Sequence, residues 1–288
     1  ISVASEAQWI ENLKADNQKI TFNVAKNDAS DTRSTSIKVN YKNAEEVSLV
    51  VNQAASQSNE LVIEANGVKF KMIYVQGGTF QMGATDEQIG ASGDEYPAHK
   101  VTLSDYYIGQ YEVTQELWKA VTGTNPSAHT DNPQLPVENI CWDDCQSFIT
   151  KLNSLTGKNF ALPTEAQWEY AARGGEKARG LLFSGSDFSD EVAWFDKTGT
   201  NPVGQLLPNE LGIFDMSGNV YEWCSDLYGD YTEEEQTDPA GVADGWAHVL
   251  RGGCYYEWEE SKVRVACRHM DASDTCDDGY GLRLMLTK

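Results

Sequence analysis

Three stretches near the start of the chain alternate apolar and polar residues: Ile20-Thr21-Phe22-Asn23-Val24, Thr35-Ser36-Ile37-Lys38-Val39-Asn40 and Glu46–Gln53. A period of two is what a half-buried antiparallel strand requires. Asn, Asp and Ser cluster between them, as in Lys26-Asn27-Asp28-Ala29-Ser30-Asp31, which is turn chemistry. The pattern predicts a small all-β sandwich over residues 1–56. The small polar run Ala55-Ser56-Gln57-Ser58-Asn59 then marks a linker, placed at 57–60, and a second domain fills 61–288.

The second domain opens on strand patterns at Leu61-Val62-Ile63 and Phe70–Val75, followed by a Gly77-Gly78 turn into Thr79–Gly83. A helix is predicted from Thr114 to Val121, with Thr114 as N-cap and no full capping box. A second is predicted from Cys145 to Leu155, with Phe148, Leu152 and Leu155 on one face and Asp143 and Asp144 ahead of its positive end. The third begins at Thr164, whose capping-box partner is Gln167. From Gly174 onward long periodic segments give way to Gly, Asp, Pro and aromatic residues. The fold class is therefore α+β with a loop-rich second half, and long irregular stretches of that kind are usually functional or pinned.

Charge narrows the function classes. With 22 Lys and Arg against 44 Asp and Glu, the net charge of −22 repels phosphate backbones and anionic membranes. Nucleic acid is excluded as a partner. No apolar run reaches the roughly 18–20 residues of a membrane span, and no signal segment opens the chain. The expectation is a soluble, mature or trimmed, exported protein of the periplasm or cell surface. Six cysteines, at 141, 145, 224, 254, 267 and 276, form no CxxC pair, which argues against structural zinc. In an exported chain they suit one to three disulfides, with 15 full pairings open; reduced, buried thiols are the alternative.

The first domain, with Ala7-Gln8-Trp9-Ile10, Thr32-Arg33-Ser34 and a closing Val50-Val51-Asn52-Gln53-Ala54-Ala55, resembles the BACON domain, an immunoglobulin-like module of bacterial surface proteins. Trp9 reads as a core ring, with a sugar-stacking platform as the other reading.

Over the second domain a series of motifs appears in order: Gly77-Gly78-Thr79-Phe80-Gln81-Met82-Gly83, Asp94–Val101, Tyr111-Glu112-Val113-Thr114, Pro136-Val137, Leu162–Arg173, Gly218-Asn219-Val220-Tyr221-Glu222-Trp223, Arg251-Gly252-Gly253 and Gly281-Leu282-Arg283. Together they resemble the formylglycine-generating enzyme (sulfatase-modifying factor) family, whose fold is a variant of the C-type lectin fold. The family's oxidases bind copper through two cysteines, which by spacing fall here on Glu257 and Lys262. Neither is a copper(I) ligand, so copper is not expected. The family's pocket serine becomes Cys254 and its tryptophan Tyr221, so residual oxidase chemistry would rest on Cys254, with Cys267 as a shifted second thiol. Four histidines, His99, His129, His248 and His269, do not make an iron set.

The resemblance also implies a calcium site in Asp215–Glu222, with Asp215, Gly218, Val220 and Glu222 as ligands, a hard oxygen set suited to calcium. It implies Cys145 paired with Cys267, and Cys224 near Cys254. Between Cys254 and Gly281 the frame residues bracket aromatic and short polar side chains, a composition similar to a paratope. It is also similar to the variable region of diversity-generating retroelement proteins. The expected ligand surface comprises Tyr221, Cys254, Tyr255, Tyr256, Glu257, Trp258, His269 and Asp271; burial of these aromatics in the core is the other reading. The function implied is an exported binding protein on a catalytically degenerate scaffold, its ligand a glycan or a protein; a copper-dependent formylglycine-generating oxidase is the alternative.

Overall fold

The computed structural model describes residues 1–16, 18–25, 27, 32–42, 44–53 and 59–288. They divide into two units, Ile1–Ser58 and Asn59–Lys288. The expected turn at 26–31 lies outside the described residues except for Asn27, as do 57 and 58 of the expected linker. Asn59 and Glu60 belong to the second unit: the Asn59 carbonyl accepts from the Tyr74 amide at 2.7 Å, and Glu60 opens a strand.

The first unit holds only strands among its described residues: β1 (Ser2–Ala4), β2 (Ile10–Ala15), β3 (Ile20–Val24), β4 (Arg33–Asn40) and β5 (Val47–Gln53). They form an antiparallel sheet in the order β1-β4-β5 and a β2-β3 hairpin. β4 alternates as expected around the fully buried Ile37. β5 departs from expectation, because it is an edge strand and leaves Val47, Leu49 and Val50 exposed. Trp9 is half-buried, with the Arg33 guanidinium 4.6 Å from its ring centre.

The second unit runs β6 (Glu60–Ala65), β7 (Val68–Val75), β8 (Thr79–Met82), β9 (His99–Thr102), β10 (Tyr106–Gly109), β11 (Phe160–Ala161), β12 (Tyr221–Leu227), β13 (Gln236–Thr237), β14 (Ala247–Arg251), β15 (Arg268–Ala272), β16 (Tyr280–Gly281) and β17 (Met285–Thr287). Its helices are α1 (Gln115–Thr122), α2 (Trp142–Thr156), α3 (Glu165–Ala172) and the short α4 (Ser189–Val192). The sheets are β11-β17-β10-β7-β6, β15-β14-β12-β16 and β13-β9-β8. Consecutive strand residues face opposite ways. Met72 therefore joins one apolar cluster, with Leu117 and Phe148 of α1 and α2, while Ile73 joins another with Trp168 of α3. Trp118 stacked on Phe148 at 4.7 Å locks α1 to α2.

Caps follow the sequence. Thr114 Oγ1 accepts from the Leu117 amide, and Thr164 and Gln167 cap each other reciprocally. α2 starts three residues earlier than expected. Cys141 is its N-cap, and Asp144 accepts from the Cys141 amide at 3.3 Å, drawing Trp142–Asp144 into the first turn. No helix of the described residues is long and apolar enough to cross a membrane.

The irregular second half is held by buried ion pairs. Arg251 pairs with Glu169, Arg264 with Glu95, Arg268 with Glu165 and Arg283 with Glu222, all four arginines being buried. Each guanidinium also donates to backbone carbonyls: Arg283 to Gly109 and Phe214, Arg251 to Val265 and Cys267, Arg268 to Asp94 and Gly229 and Arg264 to Gly90. A planar donor fork thus replaces the backbone ladder that regular elements would supply. Gly218 fits the same scheme, with φ of +77° and the position of its missing Cβ taken up by the Trp194 backbone carbonyl. Any side chain there would collide.

Candidate ligand surface

The sheet edge β12-β16 and strand β15 bring Tyr221, His269, Asp271 and Tyr280 together. Tyr221 Oη donates to Glu257 Oε1 at 2.7 Å, and its ring lies 4.9 Å from that of His269. His269 Nε2 and Tyr280 Oη are 3.1 Å apart, and Tyr280 Oη donates to Asp271 Oδ2 at 3.1 Å. Tyr256 Oη donates to Asp277 Oδ1, which also accepts from the Gly279 amide. Asp277 and Tyr280, outside the expected set, complete the network; their signal was their presence in the same polar and aromatic stretch.

The eight expected residues fall into two layers. Tyr221, Cys254 and Tyr255 are buried, at 4%, 0% and 5% exposure, so they lie beneath the surface as support. Tyr256 and Trp258 face solvent, at 40% and 76%, with Glu257, His269 and Asp271 half-buried between. The 254–258 segment is laced down by backbone bonds from Tyr255 to Asn219 and from Asp196 and Lys197 to Glu257 and Tyr255. Beside it, His129 meets Tyr255 edge-on at 5.1 Å and borders a depression of about 590 Å³ lined by Thr130, Asp131 and residues 197–201.

The electrostatics do not favour nucleophilic chemistry. Burial, then Glu257, pushes the Cys254 thiol up to about 12 against the lowering effect of backbone donors, so it is protonated at neutral pH. Burial, then Glu257, also raises Tyr221. Burial lowers His269 despite the opposing Asp271 and Glu257, leaving a neutral imidazole at pH 7. All six cysteines are free thiols, which corrects the expected Cys145–Cys267 bridge. Cys145 is fixed in the α2 core, whereas Cys267 sits among Arg251, Arg264 and Lys262. Cys224 and Cys254 face separate apolar clusters.

The expected calcium loop is a buried carboxylate cluster. Asp215 Oδ2 accepts from the Gly204 amide at 2.6 Å, while Oδ1 is buried with no partner. Glu112, which sequence reasoning did not place here, accepts from Asn219 Nδ2 and the Val220 amide. Burial raises Asp215 to about 6, and burial with Asp215 and Glu222 raises Glu112 well above the carboxylate range. Glu222 departs from its expected role. Both its oxygens are taken by Arg283 and by Trp168 Nε1, at 2.6 Å, which leaves none for a cation. The Gly218 amide donates to Gly252. The residues fit calcium in part, through the unpartnered Asp215 oxygen and the excess of three carboxylates over one guanidinium.

Comparison with known proteins agrees with this frame. The chain is 35% identical over 228 residues to the chaperone protein LppX of Paenibacillus barcinonensis, covering 61% of this chain and 78% of that one. It is 28% identical over 285 residues to the formylglycine-generating enzyme of Thermomonospora curvata, covering 74% and 92%. Against the serine/threonine-protein kinase Pkn1 of Chlamydia trachomatis it is 31% identical over 243 residues, which is 74% of this chain but 38% of that protein. The solved structure of Treponema denticola variable protein 1 superposes with a TM-score of 0.72 at 28% identity, over 81% of this chain and all of that one. Residues 1–54 match the BACON family of N-terminal binding domains, and the ion-paired frame lies wholly in 59–288, which match the sulfatase-modifying factor enzyme 1-like domain. The chain therefore belongs to the sulfatase-modifying factor family, with a BACON domain ahead of its family domain.

Proposed function

We propose that the chain is an exported binding protein that presents a ligand surface on the family's scaffold in place of its oxidation chemistry. The observation that carries this reading is the layering of residues 254–280. Tyr256 and Trp258 face solvent, flanking Glu257, which belongs to a hydrogen-bonded and ring-stacked network of buried Tyr221 and Tyr280 with half-buried Glu257, His269 and Asp271. Preordered rings and carboxylates suit sugar recognition, in which a ring stacks on the apolar sugar face and carboxylates accept from hydroxyls. A protein ligand is the second reading, favoured by the net charge of −22, which suits a basic partner surface, and by the tyrosine-rich composition of the 254–280 stretch. Calcium belongs to the proposal as a neutraliser of Asp215 and Glu112 beneath the surface. Export to the periplasm or cell surface belongs to the same proposal.

Oxidase activity is tested with copper-loaded chain and a sulfatase-type cysteine peptide, read by mass spectrometry. The proposal expects the peptide unchanged, since Glu257 and Lys262 stand where the family's thiols would be. Accumulation of the aldehyde would sink it.

A further inference from the structure

A second cluster lies at the start of α2. Cys141 Sγ donates to Asp144 Oδ2 at 3.2 Å, and Cys276 Sγ approaches the same oxygen at 3.8 Å. The three ligand atoms all lie within 4.8 Å of one another. Among the described residues no other set of three such atoms does so. Two thiol donors converging on one carboxylate oxygen is the arrangement a cation would replace, taking the place of both protons.

We infer that Cys141, Asp144 and Cys276 form a binding site for one thiophilic divalent cation of the zinc type. The distances support it. Tetrahedral zinc, with Zn–S of about 2.3 Å and Zn–O of about 2.0 Å, sets an S···O edge of about 3.5 Å and an S···S edge of about 3.8 Å. The observed 3.2 and 3.8 Å bracket the first. Thiolate ligands select zinc over calcium or magnesium.

The backbone brings the ligands together. Asn139 donates to the Asp277 carbonyl at 2.9 Å and Asp143 to that of Ser273 at 3.2 Å, while Ile140 bridges to Asp277. Cys141 is thus held opposite Cys276 from both sides. Cys141 is buried, whereas Asp144 and Cys276 are exposed, so the fourth coordination position opens to water and the ion has an entry path. The cation would tie α2 to the 273–277 loop. That loop carries Asp277, the acceptor for Tyr256, so occupancy would stiffen the ligand surface; this consequence rests on the proposed function, and the site does not.

The test is titration of the reduced, chelator-stripped full chain with Co2+ and with Zn2+. We expect one equivalent of cobalt with a thiolate-to-cobalt charge-transfer band, displaced by zinc. Cys276→Ser should abolish the band and weaken zinc, measured against a chromogenic chelator, by about tenfold or more. Asp143→Asn, which removes a neighbouring charge but no ligand, should retain one equivalent. Absence of the band in the parent chain, or its persistence in Cys276→Ser, would overturn the site. A Cys141–Cys276 disulfide in the purified chain, with no metal taken up after reduction, would overturn it equally.

Discussion

Arg283 donates three hydrogen bonds to Glu222, at 2.6, 2.9 and 3.0 Å, with neither residue exposed to solvent. Glu222 also accepts from Trp168 Nε1, so one carboxylate joins β12, α3 and the last loop of the chain. Removing one partner of such a pair strands the other as a buried charge, at a cost of about 3–5 kcal/mol. Glu222→Ala should lose that much in urea unfolding, and a loss under about 1 kcal/mol would contradict the role given to the pair.

Stability should fall as pH rises from 5 to 8. Burial, then Glu165, raises Asp226 to about 7, and burial raises Asp215 to about 6, both from an ordinary 3.8. Between 3.8 and those values the folded chain binds protons that the unfolded chain has released. The stability they contribute is complete below about pH 4 and is lost as pH climbs through 6 and 7. Glu165, whose own burial is outweighed by Arg268 and Arg251, is shifted downward and acts below this window. Asp226→Asn should flatten the slope of thermal stability over pH 5–8; an unchanged slope would reject the assignment.

Thr164 caps α3 by accepting from the Gln167 amide at 3.2 Å, and Gln167 Oε1 accepts in return from the Thr164 amide at 2.9 Å. Thr164→Ala should cost about 1 kcal/mol, whereas Thr164→Ser should cost little. Equal losses from both would show that the methyl group, rather than the hydroxyl, is what matters.

Thiol reactivity separates the cysteines. In reduced, metal-free chain, iodoacetamide should label exposed Cys276 first and reach Cys145, Cys224 and Cys254 only after denaturation, since all three are fully buried. Burial raises each of these thiols, which lowers their thiolate fraction further. Rapid labelling of Cys254 in the native chain would restore the case for a nucleophile at that position.

Local signals were the legible ones. The Thr114 and Thr164 caps depend on atoms three residues away, and the alternation around Ile37 reports its own burial. The ordered motifs were legible too, because they contain Glu95, Glu165, Glu169, Glu222, Arg251 and Arg283, six of the eight residues of the frame's ion pairs. What the sequence hid was long-range. The expected Cys145–Cys267 bridge is absent, both being free thiols, while Cys276 lies close to Cys141, 135 positions away, through a loop no local pattern places. Glu222 reads as a calcium ligand until Arg283, 61 residues later, is seen to occupy it. Exposure in β5 depends on a neighbour strand that alternation does not reveal. The ligand set mixes buried Cys254 with exposed Trp258, four residues apart, because the segment is irregular and carries no period.

The most direct test of the central claim is a glycan-array screen of the whole chain with calcium present, run beside a Tyr256→Ala, Trp258→Ala double variant. Both side chains are exposed, so the variant should fold. The account predicts glycan binding by the parent chain and its loss in the variant. Binding that survives in the variant would place the ligand elsewhere, and an array with no bound glycan would contradict a sugar-binding surface.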